Sequence, residues 1–522
     1  MSDDLRASLP DPAPRPLPVT PPEATSSGSF RAAFSSGRAL RTEVLAGLVV
    51  AFALVPEAIA FSIIAGVDPR IGLFAAFTMA VTISFVGGRP AMISAATGAV
   101  ALVVAPVMRD HGLDYLVATV ILGGIVQVVL GVLGVARLMR FVPRSVMTGF
   151  VNALAILIFT SQLPHLFGDK VTADNRWWIY ALVVVGLAII VLLPRWTRVV
   201  PAPLVAIVLI TAAALLGGLD VPTVGDEGEL PQSLPTLVFP DVPLNLETLR
   251  IIAPSALAMA LVGILESLMT AKLVDDITDT HSNKTRESWG QGVANIVTGF
   301  FGGMGGCAMI GQTMINVKAS GARTRLSTFL AGAFLLALVV GLGDVVATIP
   351  MAALVAVMIM VSVGTFDWHS ARPSTLRRMP RSETAVMLAT VAVTVATHNL
   401  AYGVGVGVVV AAVLFLQRVA HLTTVTRLDA SDADDERVYA VDGELFFASS
   451  NDLVDQFDYA GDPHRVVVDM SRAHVWDAST VAALDAVQHK FAQHGKTVEF
   501  RGLDPDSAAR LDRLAGRLGA GH

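Results

Sequence analysis

The sequence predicts a polytopic α-helical membrane protein with about fourteen transmembrane segments in a 7+7 inverted repeat, followed by a small cytoplasmic α/β domain. Three observations support this fold class. The composition is strongly apolar, lysine and arginine cluster on alternate loops, and the two halves of the apolar region can be aligned with each other.

The apolar segments of the sequence predict the number of membrane spans. Of the 522 residues, 53% are hydrophobic and 15% are charged, and the mean hydropathy is +0.64. Since a membrane-crossing helix needs roughly 20 apolar residues, about fourteen segments between Thr42 and Ala420 qualify, some of them short. Residues 1–38 are rich in Pro, Ser and Ala, and we expect them to form a disordered tail.

The basic residues predict the orientation of the chain. One set of alternate loops holds most of the lysine and arginine, including the trio Arg137, Arg140 and Arg144. The longest loop of the other set is acidic and poor in basic residues. Because cytoplasmic loops carry the excess of Lys and Arg, both termini are expected in the cytoplasm.

The composition changes after Ala420 to a soluble pattern. "RVYAVDGELFF" and "RVVVDMS" are typical of strands, and "DASTVAALDAVQHKFAQHG" is typical of a capped helix. We therefore predict a transmembrane domain over 39–425 and a cytoplasmic α/β domain over 432–522.

The apolar region contains a two-fold repeat, with halves at about 42–219 and 250–420. In the first half, Glu57 precedes the short segment "ISAATGAVALVVAPV" by about 40 residues. In the second half, Glu266 precedes "GGCAMIGQTMINVKASG" by a similar interval. Seven spans per half is an odd number, so the halves must be inverted.

These short segments, the third and tenth spans, begin with small residues instead of large apolar ones. A half-helix that starts near the middle of the membrane directs its free N–H groups and the positive end of its dipole into the protein. Two such ends facing each other would form an anion site without a basic side chain. The alternative is close helix packing by small residues, which membrane bundles use widely.

Glu57 and Glu266 are the acidic residues that lie well inside predicted spans. An ionised carboxylate at mid-bilayer costs roughly 2.5–3.5 kcal/mol on insertion scales, so such a group normally faces a polar interior. Burial favours the neutral form of a carboxyl group, which makes both residues candidate proton carriers. A structural carboxyl that ties helices together is the alternative for each.

The chain resembles the SulP (sulfate permease) anion transporters from about Arg41 onward. The resemblance depends on "AGLVVAFALVPEAIAFSIIAGVDPRIGLFAAF", "FVGGRPAMISAATGAVALVV", "ESLMTAKLVDD" followed by "GQGVANIVTGFFGGMGG", and "GARTRLS". It implies a core domain and a gate domain that move in an elevator-like cycle, a homodimer, and a C-terminal STAS domain.

The resemblance also implies the site residues. The anion would lie between the third and tenth spans, against Ala96, Thr97, Gly98, Ala99, Cys307, Ala308, Met309 and Ile310. Many members of the family carry an arginine in the tenth span where this chain has Gln312, which favours a carried proton as the balancing charge. Glu266 and Thr270 correspond to an Asp and Thr pair that helps to hold sodium in bicarbonate carriers of the family.

These observations together predict a secondary active anion transporter of a bacterial plasma membrane. We expect proton-coupled symport of sulfate, bicarbonate or a C4-dicarboxylate, with Glu57 as the main coupling residue. Sodium-coupled bicarbonate transport through Glu266 and Thr270, an uncoupled anion channel and a nucleobase carrier are the alternatives. We expect no enzyme activity, because the sequence contains no nucleophile and base pair or P-loop. No metal site, cofactor other than the coupling ion, or nucleic-acid partner is expected.

One motif in the soluble tail suggests regulation. "VWDASTVAAL" resembles the helix start that anti-sigma-factor antagonists phosphorylate on a serine, which here would be Ser479. Asp477 in the same motif is typical of an N-cap. A purely structural or dimer-linked role for the motif is the alternative.

Overall fold

The computed structural model describes residues 29–137, 142–168, 170–196, 201–231, 233–420, 423–428 and 436–515. Most of the expected N-terminal tail therefore lies outside the described residues. The expectation of disorder is wrong for its last part, because Phe30–Ala33 forms a short helix, α1, and a long helix begins at Gly37. The Ser36 hydroxyl caps that long helix by accepting the N–H of Ala39 at 3.1 Å.

The chain divides into two compact units, Met1–Leu376 with Thr390–Val404 and Arg377–Ala389 with Gly405–His522. The first half of the transmembrane region contains α2 (Gly37–Ala65), α3 (Pro69–Val86), β1 (Ser94–Ala95), α4 (Gly98–His111), α5 (Leu113–Val132), α6 (Arg144–Thr160), α7 (Leu163–Phe167), α8 (Arg176–Leu192) and α9 (Ala202–Leu216).

The second half repeats this order of elements. It contains α10 (Leu246–Thr278), α11 (Lys284–Phe300), β2 (Cys307–Ala308), α12 (Ile310–Met314), α13 (Arg325–Gly341), α14 (Gly343–Ala347), α15 (Met351–Thr365), α16 (Trp368–Ala371), α17 (Pro373–Arg378), α18 (Arg381–Thr397) and α19 (Leu400–Ala420). A π-helical turn, Ile315–Ala319, continues α12.

Each of the about fourteen predicted spans contains at least one of these helices. Within the described residues, seven helices are long and apolar enough to cross a membrane, and three shorter apolar helices accompany them. In the third and tenth spans a two-residue strand precedes the helix.

Helix α11 packs very closely against α5. A Cβ atom on Gly292 would lie 2.5 Å from the carbonyl oxygen of Gly124, and one on Gly131 would lie 2.5 Å from the backbone nitrogen of Trp289. Because a real Cβ atom does not approach backbone atoms this closely, glycine is required at both positions. The two helices are therefore in backbone contact at two levels.

The second unit contains the predicted α/β domain. Its elements are β3 (Thr424–Leu428), β4 (Glu436–Leu445), α20 (Ser450–Leu453), β5 (Arg465–Val475), α21 (Ala478–Gln493), β6 (Thr497–Arg501) and α22 (Pro505–Leu514). The strands form one sheet in the order β3-β4-β5-β6, in which β3 is antiparallel to β4 and the other neighbours are parallel. Val466, Val468, Leu484 and Phe491 are fully buried in its core.

Candidate functional site

The two short strands bring the starts of α4 and α12 together. Strands β1 and β2 pair in antiparallel register, with Ser94 opposite Ala308 and Ala95 opposite Cys307. Since each strand leads directly into its helix, the N-terminal ends of both helices lie beside the strand pair. The antiparallel register makes the two helices leave it from opposite ends, as an inverted repeat requires.

The residues predicted for the anion site are nearly all buried. Ala96, Thr97, Ala99, Cys307, Ala308 and Met309 are each at most 5% exposed, and Gly98 is also buried. A Cβ atom on Gly98 would lie 2.9 Å from the ring of Phe61, so this aromatic side chain covers the start of α4. Ile310 is partly exposed and Gly311 is exposed, and a Cβ atom on Gly311 would meet open space. The site therefore opens beside the first turn of α12.

A chain of side-chain hydrogen bonds crosses the strand pair. The thiol of Cys307 donates to Oε2 of Glu266 at 2.9 Å, and Oγ1 of Thr97 lies 3.1 Å from the sulfur. Because the single thiol hydrogen is used on Glu266, the Thr97 hydroxyl donates to the sulfur. Oγ1 of Thr97 also accepts the N–H of Val100 at 3.4 Å, as the N-cap of α4. The start of α4 is thus connected through β2 to α10.

Glu57 contacts the second short segment, although it lies in the first half of the repeat. Helix α2 packs against α12, and the Glu57 carboxyl group lies close to the side chain of Gln312, in the first turn of α12. Glu57 is partly buried and follows Pro56 within α2. The two candidate coupling carboxyls therefore meet the same segment, Glu57 at α12 and Glu266 at β2.

Thr270 makes a different contact from the one that a sodium site would suggest. Its hydroxyl donates to the backbone carbonyl oxygen of Glu266 at 2.8 Å, one turn earlier in α10. The α10 hydroxyl that reaches β2 is Ser267, whose Oγ accepts the N–H of Ala308 at 3.1 Å. In the part of the chain that the structure describes, no group of three or more His, Cys, Asp and Glu side chains could hold a metal ion.

Sequence reasoning missed several buried polar residues around the site. Ser267, Glu287, Gln291 and Asn295 are each fully buried. The last three occur every four residues along α11, so their spacing in the quoted segment "GQGVANIVTGFF" and just before it could have revealed one polar helix face. Gln127, in α5, is also fully buried and accepts from Asn295 at 2.8 Å.

Ser479 lies in the second unit, at the start of α21. Its side chain is exposed. Asp477 is the N-cap of the helix, and its Oδ1 accepts the N–H of Thr480 at 3.0 Å. The predicted N-cap is therefore confirmed, while modification of Ser479 stays a prediction.

Family models match both units of the chain. The sulfate permease family model matches residues 40–390, and the STAS domain model matches residues 427–515. A putative sulfate transporter of Bacillus subtilis, YbaR, is 53% identical over 478 residues, which cover 91% of this chain and 97% of that protein. The bicarbonate transporter BicA of a Synechocystis strain is 26% identical over 486 residues, covering 85% of each chain.

Solved structures share the fold. The transmembrane domain of a cyanobacterial bicarbonate transporter, BicA, superposes with a TM-score of 0.62 at 25% identity and covers 72% of this chain and 97% of that chain. Murine Slc26a9, an anion transporter solved in an inward-facing state, gives a TM-score of 0.76 at 18% identity, covering 92% of this chain and 88% of that chain. These matches confirm the helical transporter fold with a C-terminal STAS domain.

Proposed function

Because the chain belongs to the sulfate permease family, whose members are membrane transporters and not enzymes, we propose that it is a proton-coupled symporter of a small anion. The observation that carries this proposal is the packing of α2 against α12, which places the Glu57 carboxyl group close to Gln312, at the opening of the site beside α12. Sulfate, bicarbonate and C4-dicarboxylates are the candidate substrates. Relatives named as sulfate and bicarbonate transporters support this substrate class.

The anion binds between the first turns of α4 and α12. The first N–H groups of a helix lack partners within the helix, and each N-terminal end stabilises a nearby anion by about 0.3–2 kcal/mol. The exposed position of Gly311 allows an anion to approach the backbone of α12 directly. Gln312 adds hydrogen-bonding groups but no charge. The charge that balances the anion must therefore come from another residue.

Glu57 supplies that balance by carrying a proton. An anion that crosses with Glu57 protonated moves one negative charge less through the low-dielectric interior than an anion that crosses with Glu57 ionised. The partly exposed position of Glu57 gives its carboxyl group a route to water when the site is open. Glu266 is a second coupling carboxyl or a structural one, since a thiol hydrogen bond already engages it.

Sodium coupling is the second candidate function, and the pair Glu266 and Thr270 would carry it. The Thr270 hydroxyl hydrogen is bound within its own helix, and the Glu266 carboxylate accepts from the neutral Cys307 thiol. Neither contact gathers the several oxygen ligands that a hard cation prefers.

The transport cycle is elevator-like, with α2 to α5 and α10 to α13 moving as one body against the remaining helices. The packing of α11 on α5 and the hydrogen bonds from α10 to β2 support this assignment, because they tie the site to those helices. The protein works as a homodimer in a bacterial plasma membrane, with both termini and the STAS domain in the cytoplasm. We keep the domain limits 39–425 and 432–522 as part of the proposal.

Uptake into proteoliposomes tests the function. Radiolabelled sulfate, bicarbonate and succinate are each offered with an inward proton gradient, with an inward sodium gradient and with neither. We expect concentrative uptake of at least one anion under the proton gradient alone. A strict requirement for sodium would support sodium coupling instead, and anion current without concentrative uptake would indicate a channel.

Crosslinking in native membranes tests the homodimer. Protease access to the STAS domain in inside-out vesicles tests the orientation.

A further inference from the structure

Helix α11 has one polar face that is completely buried. Glu287, Gln291 and Asn295 are spaced every four residues, so they lie on the same side of the helix, and each is 0% exposed. Three buried polar side chains in a row are costly unless each has partners. The hydrogen-bond partners of these side chains show which segments of the site this helix face contacts.

Gln291 holds the first strand. Its Nε2 donates to Oγ of Ser94, in β1, at 2.7 Å and to Oε1 of Glu287 at 2.8 Å. Oε2 of Glu287 accepts the backbone N–H groups of Gly88 at 2.7 Å and Arg89 at 2.9 Å. The segment that leads from α3 into β1 is therefore attached to α11 at both of its ends.

Asn295 holds the second strand. Its Nδ2 donates to the carbonyl oxygen of Gly306 at 3.0 Å, and its Oδ1 accepts the N–H of the same residue at 2.8 Å. Both backbone groups of the residue before β2 are thus bound by one side chain. A Cβ atom on Gly306 would lie only 1.9 Å from the carbonyl oxygen of Ala95, so β2 approaches β1 at this point as closely as glycine allows.

Helix α11 is itself held in place. Gly292, between the two amide side chains, lies in backbone contact with Gly124 of α5. Asn295 also donates to Oε1 of Gln127, in α5, at 2.8 Å. A helix fixed in this way can define the position of whatever its side chains bind.

We propose that α11 sets the geometry of the substrate site, with Gln291 and Asn295 as positioning residues. Gln291 places β1, and through it the start of α4. Asn295 places β2, and through it the start of α12. The distance between the two helix ends, and hence the fit of an anion between them, depends on two side chains that do not touch the anion. This inference refines the proposed function and assumes an anion between those helix ends.

Transport kinetics test the proposal with apolar variants. Gln291→Leu and Asn295→Leu replace each amide group with a branched apolar side chain and so remove its hydrogen bonds. We expect each to raise the KM for the transported anion by on the order of tenfold, with a much smaller change in kcat, since a displaced helix end weakens binding. Ser94→Ala combined with Gln291→Leu should have no more effect than Gln291→Leu alone, because both changes break the same bond.

Thr298→Val is the matched control. Thr298 follows Asn295 by one turn of α11 and is equally buried, but its Oγ1 pairs with Oγ1 of Thr78 in α3 at 2.8 Å and not with either strand. We expect the KM of this variant to match that of the unmodified protein. An unchanged KM in both leucine variants, or an equal rise in the Thr298→Val variant, would overturn the assignment.

The reactivity of Cys307 gives a test that does not require a known substrate. Cys307 is the single cysteine of the chain and lies in β2, next to Gly306. We expect Asn295→Leu to accelerate modification of this thiol by a small methanethiosulfonate reagent by on the order of tenfold, because β2 loses its clamp. Gln291→Leu should accelerate it less, and Thr298→Val should leave it unchanged.

The two readouts separate the two proposals. If the unmodified protein takes up none of the three anions, the proposed function fails, while the labelling rates still test the role of α11. If Asn295→Leu does not give folded protein, Asn295→Asp, which has the same size and loses the amide donor, replaces it. Equal labelling rates in the folded Asn295 variant and the unmodified protein would overturn the proposal.

Discussion

The thiol of Cys307 donates a 2.9 Å hydrogen bond to the carboxylate of Glu266, and this contact joins β2 to α10. Both groups are buried, Cys307 at 0% and Glu266 at 7% exposure. The single cysteine of the chain was expected only to line the substrate site. The structure shows that it also holds one of the two candidate coupling carboxyls.

Replacement of Cys307 should therefore depend on whether the new side chain can donate. Cys307→Ser keeps a donor of similar size, and we expect transport close to that of the unmodified protein. Cys307→Ala leaves a buried carboxylate with one partner fewer, which costs about 1–3 kcal/mol. We expect a lower melting temperature and slower uptake for the alanine variant, measured on the purified protein and in proteoliposomes. Equal melting temperatures and uptake rates in the two variants would show that the thiol contributes through its volume and not through its hydrogen bond.

Thr270→Val tests the sodium alternative. The Thr270 hydroxyl donates to the carbonyl oxygen of Glu266 within α10. Since an isosteric valine leaves the helix intact, we expect anion uptake under a proton gradient to be retained. A sodium titration of uptake, run beside it, should be flat for both proteins. A steep sodium dependence that disappears in the variant would instead place a sodium ion at Glu266 and Thr270.

Asp477→Ala should destabilise the STAS domain locally. Besides capping α21 through Thr480, Asp477 accepts the N–H of Phe447 at 2.7 Å through its Oδ2. Loss of an N-cap costs about 0.5–2 kcal/mol. Hydrogen exchange on the full-length protein should show faster exchange at the first turn of α21, with Ser479→Ala as a control that keeps the cap. Unchanged exchange in the Asp477→Ala variant would contradict the capping role.

The stability of the STAS domain should fall at alkaline pH. Tyr439 is buried and donates to Oδ2 of Asp462 at 2.7 Å. Burial, and then this hydrogen bond, raise the pKa of Tyr439 above its usual value of 10.0. The folded state thus favours the neutral phenol. The stabilisation that the neutral phenol gives the folded domain is complete below about pH 10 and is lost as the pH rises through the folded-state pKa.

Tyr439→Phe removes the ionisable group and supplies the comparison. We expect hydrogen exchange in β4 of the unmodified protein to accelerate steeply above about pH 10, after correction for the intrinsic exchange rate. The phenylalanine variant should show a smaller pH dependence. Equal slopes in the two proteins would exclude Tyr439 as the titrating group.

Much of the fold could be predicted from hydropathy and charge, because a lipid bilayer restricts the length of the spanning helices and the orientation of the chain. The third and tenth spans were predicted to be unusual, since small residues at their starts, such as Ala96 and Gly306, cannot cover a lipid-facing surface. The pairing of Ser94 with Ala308 was not predictable, because two-residue strands have no period.

The partners of the site residues were harder to predict. Glu57 lies in the first half of the repeat, but its carboxyl group lies close to Gln312 of the second half. This contact depends on how α2 packs against α12, which the local sequence does not specify. Glu43 was overlooked for the same reason: it lies near the start of the first span, yet it is 3% exposed and accepts the N–H groups of Arg323 and Thr324, at the start of α13.

Uptake by the Glu57→Gln variant in proteoliposomes, with an inward proton gradient and no sodium, tests proton coupling most directly. Glutamine keeps the size and the hydrogen-bonding capacity of the side chain, but it cannot exchange a proton. Glu247→Gln, which alters an exposed carboxylate in the first turn of α10, is the control. We predict that Glu57→Gln abolishes uptake driven by the proton gradient while the protein stays folded and Glu247→Gln transports normally. Undiminished proton-driven uptake by the Glu57→Gln variant would contradict the assignment of Glu57 as the proton carrier.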